Sequence, residues 1–166
     1  MAVHDHRATS PSSVNFAVIT VSDTRTTASD SSGDKIQEML RSRSHEVVMR
    51  TIVHDEPAEI LAALKKSVEG RAEAVIFTGG TGLTSRDVTR ETVLPLMDRQ
   101  IDGFGELFRY ISFQEIGSAA LMSRSFAGII GRKPVFCLPG STEAVRLAME
   151  KLVLPEIGHI LREVRR

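Results

Sequence analysis

Short apolar runs alternate with longer amphipathic segments along most of the chain. Runs at residues 16–21, 74–77 and 135–138 predict buried strands, and residues 45–53 predict a further strand. Between them, residues 33–43 and the segment from Pro57 to Gly70 carry apolar side chains at helical spacing. Such alternation of strands and amphipathic helices is typical of a parallel α/β sheet.

The second half of the chain adds helices and one exception to the parallel order. A helix capped by Ser85 or Asp87 is predicted to reach about Met97, and apolar positions from 104 to 111 predict another. Residues 125–130 and 134–138 flank Gly-Arg-Lys, which predicts an antiparallel hairpin. Residues 142–152 and 155–164 predict two closing helices. We therefore expect one mostly parallel α/β domain at residues 14–166, with helices on both faces of its sheet, after a flexible tail at residues 1–13.

Polar or glycine-rich turns directly follow three of the predicted strands. Ligands of such sheets lie beyond the carboxyl ends of the strands, so the three turns predict one binding edge. Glycine backbone and helix starts at two of them suit a phosphate. The three turns are Ser22-Asp23, Thr78-Gly79-Gly80-Thr81-Gly82 and Pro139-Gly140-Ser141.

The glycine turn at residues 78–82 matches neither common phosphate motif. Its glycines do not follow the G-x-G-x-x-G spacing of dinucleotide sites, and no Gly-Lys-Ser/Thr closes it as in a P-loop. Glycine permits positive φ and close approach of another group. A tight strand-to-helix turn and a ligand site both explain the pattern, and the two threonine hydroxyls favour the ligand site.

Two aspartates follow predicted strands or the glycine turn. Asp55 precedes Pro57, and Asp87 lies within Ser-Arg-Asp-Val-Thr at residues 85–89. A helix cap, which stabilises by about 1 kcal/mol, explains either one. If the sheet is parallel, both carboxylates project from the same edge, where they could hold Mg²⁺ against phosphate oxygens.

A polar loop on the same edge supplies further candidate residues, namely Asp23, Asp30, Ser32 and Gly33. Loops of this composition are usually solvated turns. The Ser141 hydroxyl suits either a phosphate or a plain helix cap. Spacing supports neither a Ser/His/Asp triad nor a Cys/His zinc cluster.

Composition excludes several classes of partner. Lys plus Arg and Asp plus Glu balance at 21 each, so nothing indicates a nucleic acid or an anionic membrane. No apolar stretch approaches the roughly 20 residues that span a bilayer. The polar start of the chain lacks the apolar region of a secretory signal. The single cysteine, Cys137, fits a reducing compartment, and we expect a cytoplasmic protein.

Taken together, these motifs resemble the MogA/MoaB family of molybdenum-cofactor biosynthesis, which includes the gephyrin G domain. The resemblance runs from about Asn15 onward and is most specific at residues 78–82 with 85–89. It continues through Gly-Phe-Gly-Glu-Leu-Phe-Arg at 103–109, Leu-Met-Ser-Arg at 121–124 and the Pro-Gly-Ser turn. Residues 104–130 and 154–159 are closer to the MoaB branch.

The resemblance implies molybdopterin adenylylation, in which molybdopterin and Mg-ATP give adenylyl-molybdopterin and pyrophosphate. It also implies a homotrimer or homohexamer, and delivery of the product to a molybdenum-insertion protein. Asp55 and Asp87 match the two aspartates that family enzymes need for activity. The residues expected to bind substrate are Ser22, Asp23, Asp30, Ser32, Gly33, Thr78, Gly79, Gly80, Thr81, Gly82, Ser123, Gly140 and Ser141.

Two departures from the established adenylyltransferases keep other hypotheses open. Arg90 stands where those enzymes commonly have proline, and Thr142-Glu143 stand where they commonly have Pro-Lys. A carboxylate in place of a lysine near a triphosphate should weaken ATP binding. One alternative is a non-catalytic molybdopterin-binding or scaffold protein of the MoaB branch. Another is a nucleotide-binding α/β protein unrelated to the pterin.

Overall fold

A six-stranded sheet with strand order β2-β1-β3-β6-β5-β4 forms the centre of the molecule. The computed structural model describes residues 11–166. Strands β1, β2, β3 and β6 are parallel, whereas β5 is antiparallel to β6 and β4 to β5. This confirms the mostly parallel sheet and its hairpin. The strands are β1 (Asn15–Val21), β2 (Glu46–Val53), β3 (Ala74–Thr78), β4 (Arg99–Gln100), β5 (Phe126–Ile130) and β6 (Lys133–Leu138).

The central strands are apolar on both faces because helices cover both faces. In β1, Phe16 and Val18 contribute to one hydrophobic core, and Ala17 and Ile19 contribute to the other. Side chains alternate between the faces of a strand, so a strand buried on both sides becomes a continuous apolar run. That run is the pattern from which the strands were predicted.

The helices divide between the two cores, as expected. Helices α2 (Pro57–Glu69) and α3 (Thr89–Val93) pack on the face that contains Ile19. The other face is covered by α1 (Ser31–Ser42), α4 (Asp102–Ile116), α5 (Thr142–Ala148) and α6 (Leu154–Arg165).

The helix predicted to run from Ser85 or Asp87 to Met97 is wrong at both ends. Helix α3 begins only at Thr89, and its N-cap residue Val88 makes no side-chain capping bond. After Val93 the chain tightens into a 3₁₀ turn at Leu94–Leu96. Pro95 has no N–H to continue an α-helix, which explains the early end.

The two predicted closing helices form one uninterrupted helical run. A π-helical turn at Met149–Val153 joins α5 to α6, and the Leu154 N–H donates to the Met149 carbonyl. Pro155 cannot serve the carbonyl four residues before it, and the wider turn keeps the chain helical there. Sequence analysis also missed β4 and the 3₁₀ segment Gly117–Met122, since both are too short to leave a periodic pattern.

The topology brings the three predicted turns to one edge. Strand β3 lies between β1 and β6, and all three run in the same direction. Thr78 at the end of β3 pairs with Thr20 of β1 and with Leu138 of β6. The turns that follow these positions are therefore neighbours in space.

Most of the predicted flexible tail falls on residues 1–10, which lie outside the described residues. Within residues 11–166, no helix combines the length and apolar character needed to cross a membrane.

Candidate functional site

An open cleft of about 410 Å³ lies beyond the carboxyl ends of β1, β3 and β6. Val21, Met122 and Pro139 contribute apolar surface to it and were not among the predicted site residues. The predicted residues that line it are Ser22, Asp55, Gly79, Gly80, Thr81, Gly82, Asp87, Ser123 and Gly140.

The glycine turn forms the floor of this cleft, and its backbone geometry requires glycine. Gly79 and Gly80 have φ values of +102° and +67°, in the left-handed region. A Cβ on Gly79 would overlap the Val21 carbonyl, and one on Gly80 would overlap the Thr89 hydroxyl. The tight-turn explanation therefore accounts for both glycines, with or without a ligand.

Asp87 fixes the shape of the loop that follows the glycine turn. Its Oδ2 accepts hydrogen bonds from the Thr84 N–H at 2.8 Å and the Thr84 hydroxyl at 2.6 Å, rather than capping α3. Burial raises the pKa of Asp87, but bonds from Thr84 and the Gly82 N–H outweigh burial and hold the pKa below its usual value. Asp87 is thus an ionised carboxylate that closes residues 82–87 into a loop on the cleft wall.

Asp55 lines the cleft, and its charge is only partly compensated. The Asp23 N–H and the Arg86 guanidinium favour the ionised carboxylate of Asp55, but both effects are smaller than those that oppose it. The N–H of Asp55 donates in turn to Asp23 Oδ1 at 3.1 Å. The N-cap residue of α2 is Glu56 and makes no side-chain cap bond, so Asp55 is not a helix cap. Burial raises the pKa of Asp55, and the charges of Asp23 and Asp87 raise it further. A cation in the cleft would reverse this unfavourable electrostatics.

The donor set fits Mg²⁺ better than a metal held entirely by protein. The described part of the chain contains no group of three or more His, Cys, Asp or Glu side chains placed to hold an ion. Mg²⁺ commonly takes one or two carboxylates and completes its octahedron with water and substrate phosphates. Asp55 is the residue placed to provide that carboxylate.

Several predicted site residues lie behind the cleft wall rather than in the cleft. The Ser32 hydroxyl donates to the Gly140 carbonyl at 2.6 Å, and the Thr78 hydroxyl donates to the Pro139 carbonyl at 2.8 Å. Ser141 caps α5 by accepting the Ala144 N–H. These bonds hold the Pro-Gly-Ser turn against β3 and α1.

Asp23 is exposed at the mouth of the cleft, outside its lining. Its carboxylate accepts two bonds from Arg86, at 2.9 and 3.1 Å. Arg86 also pairs with Glu56 at 3.0 Å, so it ties the Asp87 loop to the loops after β1 and β2.

Asp30 is completely buried and belongs to the scaffold of the site. Its carboxylate accepts the Thr20 hydroxyl at 2.9 Å, the Gly33 N–H at 3.0 Å and the Arg50 guanidinium at 2.8 Å. As N-cap of α1, it explains why that helix begins at Ser31 rather than at the predicted Gly33.

We expect Asp30→Asn to lower the free energy of unfolding by about 2 kcal/mol, because the new amide places NH₂ against a guanidinium. Urea unfolding measures it. Asp34→Asn is the matched control, since Asp34 pairs with the same arginine at 2.8 Å but is 62% exposed. It should cost less than about 0.5 kcal/mol. Equal losses in the two variants would contradict the structural role of Asp30.

Sequence analysis did not identify Arg124 as a site residue. Its Nε donates to the Gly82 carbonyl at 2.7 Å and its Nη2 to the Asp87 carbonyl at 3.0 Å, and it pairs with Glu91. Arg124 therefore holds both ends of the Asp87 loop. Its position beside Ser123 in a recognised motif was the one available signal.

Comparisons with known proteins identify one family along nearly the whole chain. The family described as a probable molybdopterin-binding domain matches residues 17–159. A Bacillus cereus protein named molybdenum cofactor biosynthesis protein B is 48% identical, over 100% of this chain and 99% of its own length.

Solved structures agree with this match. A crystal structure of a molybdenum cofactor biosynthesis protein B has a TM-score of 0.91 at 49% identity, covering 94% of this chain and 98% of that one. The tungsten cofactor synthesizing protein MoaB of Pyrococcus furiosus has a TM-score of 0.86 at 41% identity, covering 94% and 99%.

Proposed function

The chain belongs to the family of probable molybdopterin-binding domains, and on that premise we propose that it adenylylates molybdopterin in molybdenum-cofactor biosynthesis. The observation that carries the proposal is the Asp55 carboxylate, which lines the cleft beside the glycine turn and whose pKa is raised by burial and by the charges of Asp23 and Asp87. Such a carboxylate suits the magnesium ion that accompanies ATP.

In the proposed reaction, the terminal phosphate oxygen of molybdopterin attacks the α-phosphorus of ATP. A new P–O bond forms, the bond to the bridging oxygen of the β-phosphate breaks, and pyrophosphate leaves. A phosphate nucleophile is already ionised at neutral pH, so no general base is assigned. Both reactants are anionic, and positioning with charge neutralisation supplies most of the rate.

The two aspartates have different parts in this proposal. Asp55 would hold Mg²⁺, which would supply positive charge to neutralise the phosphates. Asp87 Oδ2 accepts both bonds from Thr84 and so holds the loop at residues 82–87 in shape on the cleft wall. The remaining backbone and hydroxyl groups of the glycine turn would orient the pterin phosphate.

The departure at Arg90 does not alter the lining of the cleft. The Arg90 guanidinium lies 5.2 Å from the Phe126 ring centroid and donates to the Arg124 carbonyl at 3.2 Å. It supports the residue that holds the Asp87 loop, so this departure leaves the cleft available to a substrate.

The direct test incubates the protein with molybdopterin, ATP and Mg²⁺ and measures pyrophosphate and adenylyl-molybdopterin. Both products should appear in equal amounts and require all three components. Saturable pterin binding without pyrophosphate would instead support the non-catalytic scaffold. ATP binding without pterin binding would support the unrelated nucleotide-binding protein.

We place this activity in the cytoplasm, with the product passing to a molybdenum-insertion protein. The only cysteine in the sequence is a buried free thiol and requires no oxidising compartment.

We also propose that the protein works as a homotrimer or homohexamer assembled through α4. This helix is buried on one side, yet its outer side carries large exposed apolar residues that continue into the 3₁₀ segment. Glu106 and Arg109 add both signs of charge, so two copies can meet without net repulsion. The exposed apolar residues are Leu107, Tyr110, Phe113, Ile116, Leu121 and Met122.

Tyr110→Arg should shift the sedimenting species toward the 18.2 kDa monomer, because a charge would be buried in the contact between copies. Leu61→Arg, at an exposed apolar position of α2, should leave the assembly unchanged. Sedimentation velocity distinguishes the two results. An unaltered assembly in Tyr110→Arg would place the contact elsewhere.

A further inference from the structure

Arg25 is a positively charged residue beside the cleft. Its Nη1 donates to the Ser29 carbonyl and to the Ser31 hydroxyl, the latter at 2.8 Å. No Asp or Glu among residues 11–166 pairs with it. Its own N–H donates to the hydroxyl of Ser22, a cleft residue, at 3.1 Å.

Two contacts between distant parts of the chain place Arg25 next to the Pro-Gly-Ser turn. The Ser31 hydroxyl, which binds Arg25, lies 3.1 Å from the Thr142 hydroxyl. The adjacent Ser32 hydroxyl donates to the Gly140 carbonyl at 2.6 Å. The guanidinium is therefore one side chain away from the first residue of α5, on the side where Gly140 lines the cleft.

Nearby carboxylates are already paired with other arginines. Asp30 and Asp34 both bind Arg50 at 2.8 Å. Glu143 is 79% exposed and pairs with Arg146 at 3.1 Å. Glu143, which was expected from the sequence to weaken ATP binding, is thus paired within its own helix. No carboxylate among residues 11–166 pairs with Arg25 in the same way.

The guanidinium retains donors for an anion. Among the described residues, only Nη1 is engaged, which leaves Nε and Nη2 for a ligand. A guanidinium that presents two parallel N–H groups matches the geometry of a phosphate. The hydroxyls of Ser31 and Thr142 add neutral donors at the same place.

We propose that Arg25, with the Ser31 and Thr142 hydroxyls, binds the terminal phosphates of the nucleotide. The identity of the nucleotide rests on the proposed function, whereas the polyphosphate chemistry follows from a guanidinium that no carboxylate of residues 11–166 pairs with. In this arrangement the triphosphate has two sources of positive charge. Asp55 would hold Mg²⁺ at one side of the cleft, and the Arg25 guanidinium binds the terminal phosphates.

The test measures equilibrium binding of Mg-ATP and of AMP to Arg25→Gln by calorimetry. The dissociation constant for Mg-ATP should rise about 10-fold or more, since a charge-assisted phosphate pair is lost. AMP lacks the terminal phosphates, so its affinity should not change. Arg25→Lys keeps the charge but loses the two parallel N–H groups of the guanidinium. Its dissociation constant for Mg-ATP should therefore lie between those of Arg25→Gln and the wild type. Arg41→Gln, in the last turn of α1, serves as the matched control and should match the wild type.

In turnover, Arg25→Gln should raise KM for ATP by about the same factor and leave the pterin dissociation constant unchanged. Three outcomes overturn the inference: an Mg-ATP affinity equal to wild type, an equal loss for AMP, or no Mg-ATP binding by the wild type. If Mg-ATP binding depends on Arg25 but no adenylylated pterin forms, the subsite stands and the proposed reaction fails. If adenylylated pterin forms but Arg25→Gln has the KM for ATP of the wild type, the proposed reaction stands and the subsite fails.

Discussion

Asp55→Asn is expected to lower kcat for pyrophosphate release about 100-fold or more and to leave pterin binding unchanged. An amide has nearly the shape of the carboxylate but no charge to hold a magnesium ion. Stopped assays of pyrophosphate at saturating substrates measure the effect. Asp34→Asn removes a carboxylate outside the cleft and should retain the wild-type rate. A wild-type rate in Asp55→Asn would refute the assignment of the metal ligand.

The same substitution should make the protein more stable at neutral pH. A carboxyl whose folded pKa is raised contributes stability that is fully present below its unfolded pKa and is lost as the pH rises through the folded pKa. Above that pH the wild type carries an ionised Asp55 beside Asp23 and Asp87, and the Asn variant does not. The unfolding free energy of Asp55→Asn should therefore exceed that of the wild type at pH 7. The difference should vanish below about pH 3.8, the ordinary pKa of an aspartate. Urea unfolding at both pH values measures it, and a less stable variant at pH 7 would contradict the electrostatic account.

Gly79→Ala is expected to cost about 4 kcal/mol of folding free energy. The φ of +102° is strained for alanine, and the new Cβ would overlap the Val21 carbonyl. Because Val21 ends β1, relief requires the two central strands to separate. Circular dichroism during urea unfolding gives the free energy of each variant.

The control for this result is Gly103→Ala. Gly103 lies in α4, and a Cβ there would meet nothing within 4 Å. Alanine favours the helix, so this variant should be up to about 1 kcal/mol more stable. A loss below about 1 kcal/mol in Gly79→Ala would show that the turn can relax, which the packing against Val21 argues against.

The sheet, its binding edge and the family could be predicted because each leaves a local pattern. Strands buried on both faces appear as apolar runs, and the turns after β1, β3 and β6 follow directly from parallel topology. The resemblance to MogA/MoaB proteins, closer to MoaB, is confirmed by the matched family and by the relatives. Substrate roles of individual residues stay predictions.

Partners that are distant in sequence could not be predicted. Asp30 looked like part of a solvated loop, and only the fold places Arg50 against it, 20 residues away. Arg124 donates to carbonyls about 40 residues earlier in the chain, and such bonds leave no periodic pattern in the sequence. Asp87 was a candidate cap, but its carboxylate binds the N–H and hydroxyl of Thr84, three residues earlier, and the N-cap of the helix is Val88.

The shortness of β4 limits how this molecule can aggregate. With two residues, Arg99 and Gln100, both exposed, it offers almost no free backbone ladder to an incoming chain. The opposite edge, β2, is eight residues long but carries Glu46 at its start and the charged Arg50 in its interior. Edges of this kind disfavour the edge-to-edge addition of strands from other molecules, by which amyloid-like sheets grow. Concentrated solutions should therefore resist fibril formation.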